Sequence, residues 1–256
     1  MPIAETIAVA HAAAPMSVSV ALNKAGRQRM LSQRMAKAWI MVGMDITPDQ
    51  ARTILTESLS QFENQLAELR GFVPNQGTQD ALTRLEKTWV DYKSVLTTKP
   101  GIGNATTLYE TSETVQMAAH RLTLAYEAVS VSPADRLVNI AGRQRMLSQR
   151  LAKFWLFEAW GVNSKAAQME FSHARAEFAS GLHQLSISLH TGTEMRAALE
   201  HLDREWGAYQ AALTAKSDIA GKMRAAPKIA DMSERVLAAC EKLVTLYEKQ
   251  ASATAH

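Results

Sequence analysis

The sequence predicts an all-α protein made of two tandem up-and-down four-helix bundle units, and three observations lead to this fold class. Glycine and proline are scarce, at 12 and 7 of 256 residues, and 6% of the residues are aromatic, which disfavours a sandwich or barrel with many tight turns. Apolar residues recur every three or four positions, as on one face of an amphipathic helix. A segment near the start also returns almost unchanged in the second half.

The repeated segment, which we name the box, reads NKAGRQRMLSQRMAKAW at residues 23–39 and NIAGRQRMLSQRLAKFW at residues 139–155. The two copies agree at 14 of 17 positions. Repetition at a fixed offset is typical of proteins built from duplicated units. We therefore predict a first unit at residues 18–131 and a second at residues 134–254, joined at Pro133, because proline and the residue before it disfavour helix.

Helix stop signals divide each unit into four helices. Those of the first unit are, in chain order, Pro48, Gly71, Pro100 and Pro133. The predicted helices are 19–45, 49–70, 78–98 and 105–130, then 135–160, 164–188, 193–215 and 227–250. Their connections are short, so consecutive helices are expected to run antiparallel, as in an up-and-down bundle.

Shorter matches follow the box in the same order in both units. The first helix carries the box, and the second and third carry apolar positions spaced as on one helix face, which we predict to be core. These are Phe62, Leu66 and Leu69 with Phe178, Leu182 and Leu185, and Leu85, Trp89, Tyr92 and Leu96 with Leu202, Trp206, Tyr209 and Leu213. The fourth helix repeats Ser112-Glu113 as Ser233-Glu234 and Tyr126-Glu127 as Tyr247-Glu248.

Composition excludes several classes of function. The net charge is only +3, and the single cysteine, Cys240, can form neither an intrachain disulfide nor a cysteine zinc site. No stretch approaches the ~18–20 apolar residues that cross a bilayer, so the chain is expected to be soluble. We find no nucleophile order, metal-ligand spacing or nucleotide loop, and therefore predict no catalytic residue, no metal and no cofactor.

Residues 1–17 are small and apolar and precede the first unit. Ala10-His11-Ala12 resembles the small-x-small pattern of a signal-peptidase site, although no Lys or Arg stands ahead of the apolar stretch. The segment is interpreted either as the remnant of a signal peptide, which would place the protein in the periplasm, or as a cytoplasmic leader.

The box is preserved between the units better than the core is. Residues 85–99 and 202–216 agree at only 6 of 15 positions, although a bundle core needs only apolar residues at the right period. A glycine inside the box helix would allow another backbone or a ligand to approach closely. The last arginine of the box would project into the same interface, where a buried guanidinium needs an acceptor.

Two kinds of acceptor fit this arginine. If the boxes face each other about a pseudo-two-fold axis, Arg34 and Arg150 converge, and a small planar oxyanion such as nitrate or nitrite between them would relieve their repulsion. Alternatively, each arginine pairs with a helix carboxylate such as Glu63, Glu113 or Glu234.

The box pattern, Asn-x-Ala-Gly-x-x-Arg-Met-x-Ser-x-Arg, resembles the signature of the PilJ-type domain. That domain is the N-terminal sensory module of type IV pili methyl-accepting chemotaxis transducers and also the periplasmic nitrate/nitrite sensor of membrane histidine kinases. The pattern occurs twice, at residues 23–34 and 139–150. The resemblance implies a helical bundle that holds nitrate between two box helices.

By resemblance, the last arginine of each box grips the ligand close to the box glycine. The implied ligand-binding residues are Arg34, Arg150, Gly26 and Gly142, with Arg29 and Arg145 as secondary contacts. The family usually carries one box per chain and dimerises, whereas this chain carries two. We therefore expect a pseudo-dimeric monomer that binds one anion per chain.

The expected function is that of a soluble, periplasmic nitrate- or nitrite-binding sensor. The sequence shows no output module, so the signal is expected to pass through a partner such as a membrane sensor kinase, a chemoreceptor or a transporter. Two alternatives stay open. The Arg-Gln-Arg runs could form a basic stripe for nucleic acid, although the low net charge and the interleaved apolar residues count against it, and the protein could be a purely structural interaction bundle.

Overall fold

A computed structural model describes residues 16–162, 165–188 and 192–253 of the chain. Within these ranges the protein is all-α, with eight α-helices, one short 3-10 helix and no strand, which confirms the predicted fold class. The α-helices are α1 (Val18–Gly43), α2 (Pro48–Arg70), α3 (Gln76–Leu96), α4 (Ala105–Val129), α5 (Pro133–Ala159), α6 (Lys165–Ser186), α7 (Thr193–Thr214) and α8 (Ile219–Ala253). The predicted leader lies outside the described residues except for Met16 and Ser17.

The helices form two units of four that share one seam. In the first unit α1 packs against α2 and α4, and α3 packs against α4; in the second, α5 packs against α6 and α8, and α7 packs against α8. Short connections make consecutive helices antiparallel. The two units meet where α1 packs along α5. None of the described helices is long and apolar enough to cross a membrane.

Local sequence explains where several helices begin. Ser17 and Asn75 precede α1 and α3, and the side chain of each accepts a hydrogen bond from the backbone N–H three residues further on. Helices α2 and α5 begin at Pro48 and Pro133, because the first turn needs no N–H donor from its first residue.

The predicted core positions are buried in both units. Phe62 stacks on Trp89 with ring centroids 4.1 Å apart, and the equivalent rings of Phe178 and Trp206 stack at 4.0 Å. The duplication therefore extends from the sequence to the packing of the core.

Helix α8 differs most from the prediction. The sequence predicts it at 227–250, because proline tends to mark a helix boundary, but α8 begins at Ile219 and Pro227 lies inside it. Ala226, just before the proline, is fully buried, and Lys222 forms an ion pair with Glu158 of α5. Packing against α5 therefore holds the additional turns in spite of the missing backbone donor.

Candidate functional site

The two box helices, α1 and α5, run side by side in the same direction and register. Ser19, near the start of α1, donates a hydrogen bond of 2.9 Å to Asp135, which occupies the equivalent position in α5. Because α4 runs antiparallel to α1, it ends near the start of α1, and the short turn at 130–132 suffices to place α5 beside α1. The two boxes therefore meet within one chain.

Gly26 and Gly142 leave space that two arginine side chains use. A β-carbon at Gly26 would lie 3.2 Å from Nη2 of Arg29 and 3.9 Å from Nη2 of Arg145. A β-carbon at Gly142 would lie 3.2 Å from Nη2 of Arg145 and 3.8 Å from Nη2 of Arg29. Both guanidinium groups thus reach the same small region between the two glycines, and we name Arg29 and Arg145 the inner arginines.

Each inner arginine is held by the asparagine of the opposite box. Arg29, with 1% of its surface exposed, donates from Nη2 to Oδ1 of Asn139 at 2.8 Å. Arg145, fully buried, donates from Nη2 to Oδ1 of Asn23 at 2.6 Å. The two contacts are related by the duplication, so the inner arginines and their asparagines form a reciprocal link across the seam.

The repeated Tyr-Glu pairs of the fourth helices supply the carboxylates that orient these asparagines. Glu248 of α8 accepts a hydrogen bond of 2.5 Å from Nδ2 of Asn23, and Glu127 of α4 accepts one of 2.9 Å from Nδ2 of Asn139. An amide N–H can only donate, so this contact turns the amide oxygen towards the guanidinium.

The two inner arginines differ in their charged partners. Nη1 of Arg145 donates to Oε2 of Glu241 at 2.9 Å, and Arg27 contacts the same oxygen at 2.8 Å. Nη1 of Arg29 instead lies 3.3 Å from Nδ1 of His120. Among the described residues, Arg29 forms no ion pair with a carboxylate, so it is a buried cation whose hydrogen-bond partners are all neutral.

The surroundings of Arg29 oppose its charge. Burial, together with the positive charges of Arg143 and Arg145, lowers the pKa of Arg29 to about 9, which still leaves it charged near pH 7. Burial and the charges of Arg29 and Arg143 lower the pKa of His120 to about 4, so its imidazole is neutral near pH 7. Because a guanidinium has no acceptor, Nδ1 of His120 must accept the hydrogen bond from Arg29.

The outer arginines, Arg34 and Arg150, do not converge, and the prediction that they do is wrong. Nη2 of Arg34 donates to Glu234 of α8 at 2.6 Å, and Arg150 pairs with Glu113 of α4 and Glu170 of α6. The structure agrees with the alternative prediction, in which these arginines pair with helix carboxylates. Five residues along a helix turn the side-chain direction by about 140°, so the outer arginine leaves the face that the inner one occupies.

The repeated Ser-Glu pairs supply the partners of the outer arginines, each from the fourth helix of the opposite unit. Nζ of Lys37 lies 2.9 Å from the serine and 2.5 Å from the glutamate of Ser233-Glu234. Nζ of Lys153 lies 3.1 Å from the serine and 2.5 Å from the glutamate of Ser112-Glu113. Each outer arginine thus belongs to a cluster with one lysine, one serine and at least one carboxylate.

These outer clusters keep their carboxylates ionised. Burial raises the pKa of Glu234, but the charges of Lys37 and Arg34 outweigh burial and lower that pKa to about 2. Glu113 in the equivalent cluster also has a pKa of about 2 for the same reason. The arginines and lysines of the outer clusters are therefore already paired with carboxylates of the chain.

The described part of the chain supports neither a metal site nor a nucleic-acid-binding surface. No group of three or more His, Cys, Asp or Glu is arranged there to hold a metal ion. Arg29, Arg145 and Arg150 are buried, whereas nucleic-acid binding requires an exposed basic stripe.

Comparison with protein families agrees with the duplicated architecture. The sequence profile of the PilJ family, described as the type IV pili methyl-accepting chemotaxis transducer N-term, matches residues 16–114 and residues 130–232. The chain belongs to the PilJ family. It carries two copies in tandem, and each PilJ match opens close to the start of a box helix. PilJ is a non-catalytic sensory family, which indicates a role as a sensor in signal transduction.

Comparison with curated proteins and with solved structures returned no match. The contacts in this PilJ chain therefore have to be interpreted from its own geometry.

Sequence reasoning missed two residues of this site, His120 and Glu241. The signal was present, since each lies eight residues after the serine of the Ser-Glu pair and six before the tyrosine of the Tyr-Glu pair. Aligning the two fourth helices on these pairs would have placed His120 opposite Glu241. Without the fold, however, nothing indicates that both positions contact the inner arginines.

Proposed function

We propose that this PilJ protein is a sensor subunit that binds one small monovalent oxyanion, nitrate or nitrite, between the inner arginines. The observation that carries the proposal is the state of Arg29, a buried cation that contacts no carboxylate of the described residues and that faces Arg145 across two glycines. Burying a charge without a charged partner is strongly destabilising, and the neighbouring positive charge of Arg145 also repels Arg29. An anion between them would remove both costs.

The donors favour a small, flat oxyanion. A guanidinium group is planar, weakly hydrated and always charged near neutral pH, and its N–H groups match the oxygens of a trigonal anion. The space beside Gly26 and Gly142 is tight, because a single β-carbon would already approach a guanidinium nitrogen at 3.2 Å. Both glycines are therefore expected to lie beside the ligand, which must itself be small.

The proposal places the ligand contact on Arg29 and Arg145 instead of Arg34 and Arg150. In a helix the side chains lean towards the N terminus, so an arginine three residues after the glycine reaches back beside it. The outer arginine lies two turns beyond the glycine and has carboxylate partners of its own.

Binding at this position would act on the seam between the units. A ligand between α1 and α5 changes the separation or tilt of these two helices, and the links of Asn23 to Glu248 and of Asn139 to Glu127 tie the seam to α8 and α4. A membrane partner in the periplasm, such as a sensor kinase, a chemoreceptor or a transporter, would detect that change. The sensory family to which the chain belongs supports this role.

The test is a thermal-shift and calorimetry series on the whole chain with nitrate, nitrite, chloride and sulfate. At about 100 times its dissociation constant, a ligand that binds only the folded state adds about 2.7 kcal/mol to the free energy of unfolding. We expect nitrate or nitrite to raise the Tm well beyond equimolar chloride and to bind with a stoichiometry of one per chain, with a monomer in light scattering.

Equal shifts for all salts would contradict the proposal and favour a structural bundle. A stable dimer that binds two anions would contradict only the expectation of a single intrachain site.

A further inference from the structure

The two halves of the anion site are not equivalent, and one residue accounts for the difference. His120 of α4 and Glu241 of α8 occupy the same place in the duplicated fourth helices, as the flanking Ser-Glu and Tyr-Glu pairs show. Each contacts Nη1 of the inner arginine nearest to it, at 3.3 Å for Arg29 and 2.9 Å for Arg145. A neutral imidazole in one unit therefore replaces a carboxyl group in the other.

This replacement makes the charge distribution of the site asymmetric, because the positive charge of Arg29 has no carboxylate in contact among the described residues. Glu241 contacts both Arg145 and Arg27 and so offsets part of their positive charge, whereas the hydrogen-bond partners of Arg29 among the described residues carry no charge. More distant carboxylates do not cancel this effect, because the positive charges of Arg143 and Arg145 act on Arg29 more strongly than the negative charges of Glu127 and Glu177.

We propose that His120 determines the specificity of the site, since it leaves Arg29 as the charge that a ligand must neutralise and so selects a single monovalent anion bound nearer to Arg29 than to Arg145. This inference rests on the proposed function and names the ligand class and the residue that sets it. A dianion such as sulfate would bring a second negative charge towards Glu241, and like charges in a poorly solvated site repel strongly.

The decisive variant is His120→Glu, with His120→Gln as the matched control. Glutamate is the residue that the other unit carries at this position, so its shape is compatible with the packing. In His120→Glu the new carboxylate pairs with Arg29 and takes the place of the ligand's charge. We expect calorimetric nitrate affinity in His120→Glu to fall by about 100-fold or more and its Tm in anion-free buffer to rise, whereas His120→Gln, which adds no charge, should lose far less affinity and show no such rise in Tm.

A second variant, Glu241→Gln, tests the other half and does not depend on the folding of the first. Removing this carboxylate frees the charge of Arg145, so the ratio of sulfate to nitrate affinity is expected to rise by about tenfold or more. Wild-type protein should prefer nitrate to sulfate at equal ionic strength. An unchanged ratio in Glu241→Gln would overturn the inference.

The outcomes separate the inference from the function on which it rests. If the parent protein binds nitrate and His120→Glu binds it within about threefold of the parent, the role of His120 is wrong and the anion site stands. If the parent binds neither nitrate nor nitrite above chloride, the proposed function itself fails.

Discussion

The inner and outer arginines stand five residues apart in each box, yet they have opposite surroundings. Arg34 and Arg150 contact carboxylates supplied by the opposite unit, and these carboxylates stay ionised. Arg29 and Arg145 face each other across two glycines, and in the part of the chain that the structure describes only Arg145 has a carboxylate in contact. Both pairs are identical in the two boxes, so residue identity alone does not separate a structural arginine from one available to a ligand.

The partner of a buried arginine therefore indicates whether that arginine is structural or available to a ligand. An arginine that already has a carboxylate contributes to holding two helices together, and an added anion gains little from it. A buried arginine with only neutral partners retains a charge that a ligand can neutralise. The predictions below test this contrast.

Removal of an outer arginine is expected to have the largest effect on stability. Arg34→Ala would leave Glu234 with Lys37 as its remaining cation and lower the free energy of unfolding by about 3 kcal/mol, measured by urea denaturation. Nitrate binding by the folded variant should persist. Arg52→Ala, which removes an exposed pair with Asp49, is the control and should cost less than about 1 kcal/mol.

Removal of an inner arginine should show the reverse pattern. Arg29→Met takes away a buried charge without leaving a carboxylate unpaired, so the free energy of unfolding in anion-free buffer should fall by less than about 1 kcal/mol or rise. The nitrate-dependent stabilisation, about 2.7 kcal/mol at 100 times the dissociation constant, should be lost. Nitrate affinity equal to that of the parent would exclude Arg29 as a ligand contact.

The two kinds of cluster should also respond to acid in different ranges of pH. Glu234 has a pKa of about 2 in the folded protein and 4.5 as its ordinary value, so the unfolded chain takes up the proton first. The stability that Glu234 contributes is present above pH 4.5 and is lost as the pH falls towards 2, by roughly 2 kcal/mol once its partial exposure is allowed for.

Protonation of His120 also lowers the stability of the folded protein, but at higher pH than protonation of Glu234. Its pKa falls from 6.5 to about 4 on folding, so stability declines as the pH drops through that interval. Urea denaturation at a series of pH values should therefore show two steps. Glu234→Gln should shrink the lower step, to which Glu113 also contributes, and His120→Gln should flatten the upper one; a variant that changes the wrong step would contradict the assignment.

The glycine substitution is expected to have the smallest effect. In Gly26→Ala the added β-carbon lies 3.2 Å from Nη2 of Arg29, so the guanidinium must move by a few tenths of an ångström and nitrate affinity should fall by about tenfold. The control is Gly207→Ala in α7, where the added carbon meets nothing within 4 Å. Gly207→Ala should gain up to about 1 kcal/mol of helix propensity, whereas in Gly26→Ala the displacement of the Arg29 guanidinium offsets part of that gain; only Gly26→Ala should lose nitrate affinity.

Much of the architecture could be predicted, because it depends on local patterns. The apolar period located the helices to within a few residues, and the repeated Phe62 and Trp89 positions identified the core. The start of α8 could not be predicted, since Pro227 is a helix-boundary signal that packing against α5 overrides.

The duplication, the helical architecture and the box arginines and glycines of the site could be read from the sequence, since all of these follow from spacing along the chain. The tertiary structure decided which arginine meets which partner. Arg34 pairs with Glu234 because α8 lies beside α1 in space, although 200 residues separate the two positions.

His120 is a second residue whose contact could not be predicted from the sequence. The repeated Ser-Glu and Tyr-Glu pairs show that His120 is equivalent to Glu241. Its contact with Arg29, however, exists only because α4 packs against α1. Spacing along one helix reports direction around that helix, whereas the charge that a side chain meets depends on which other helices surround it.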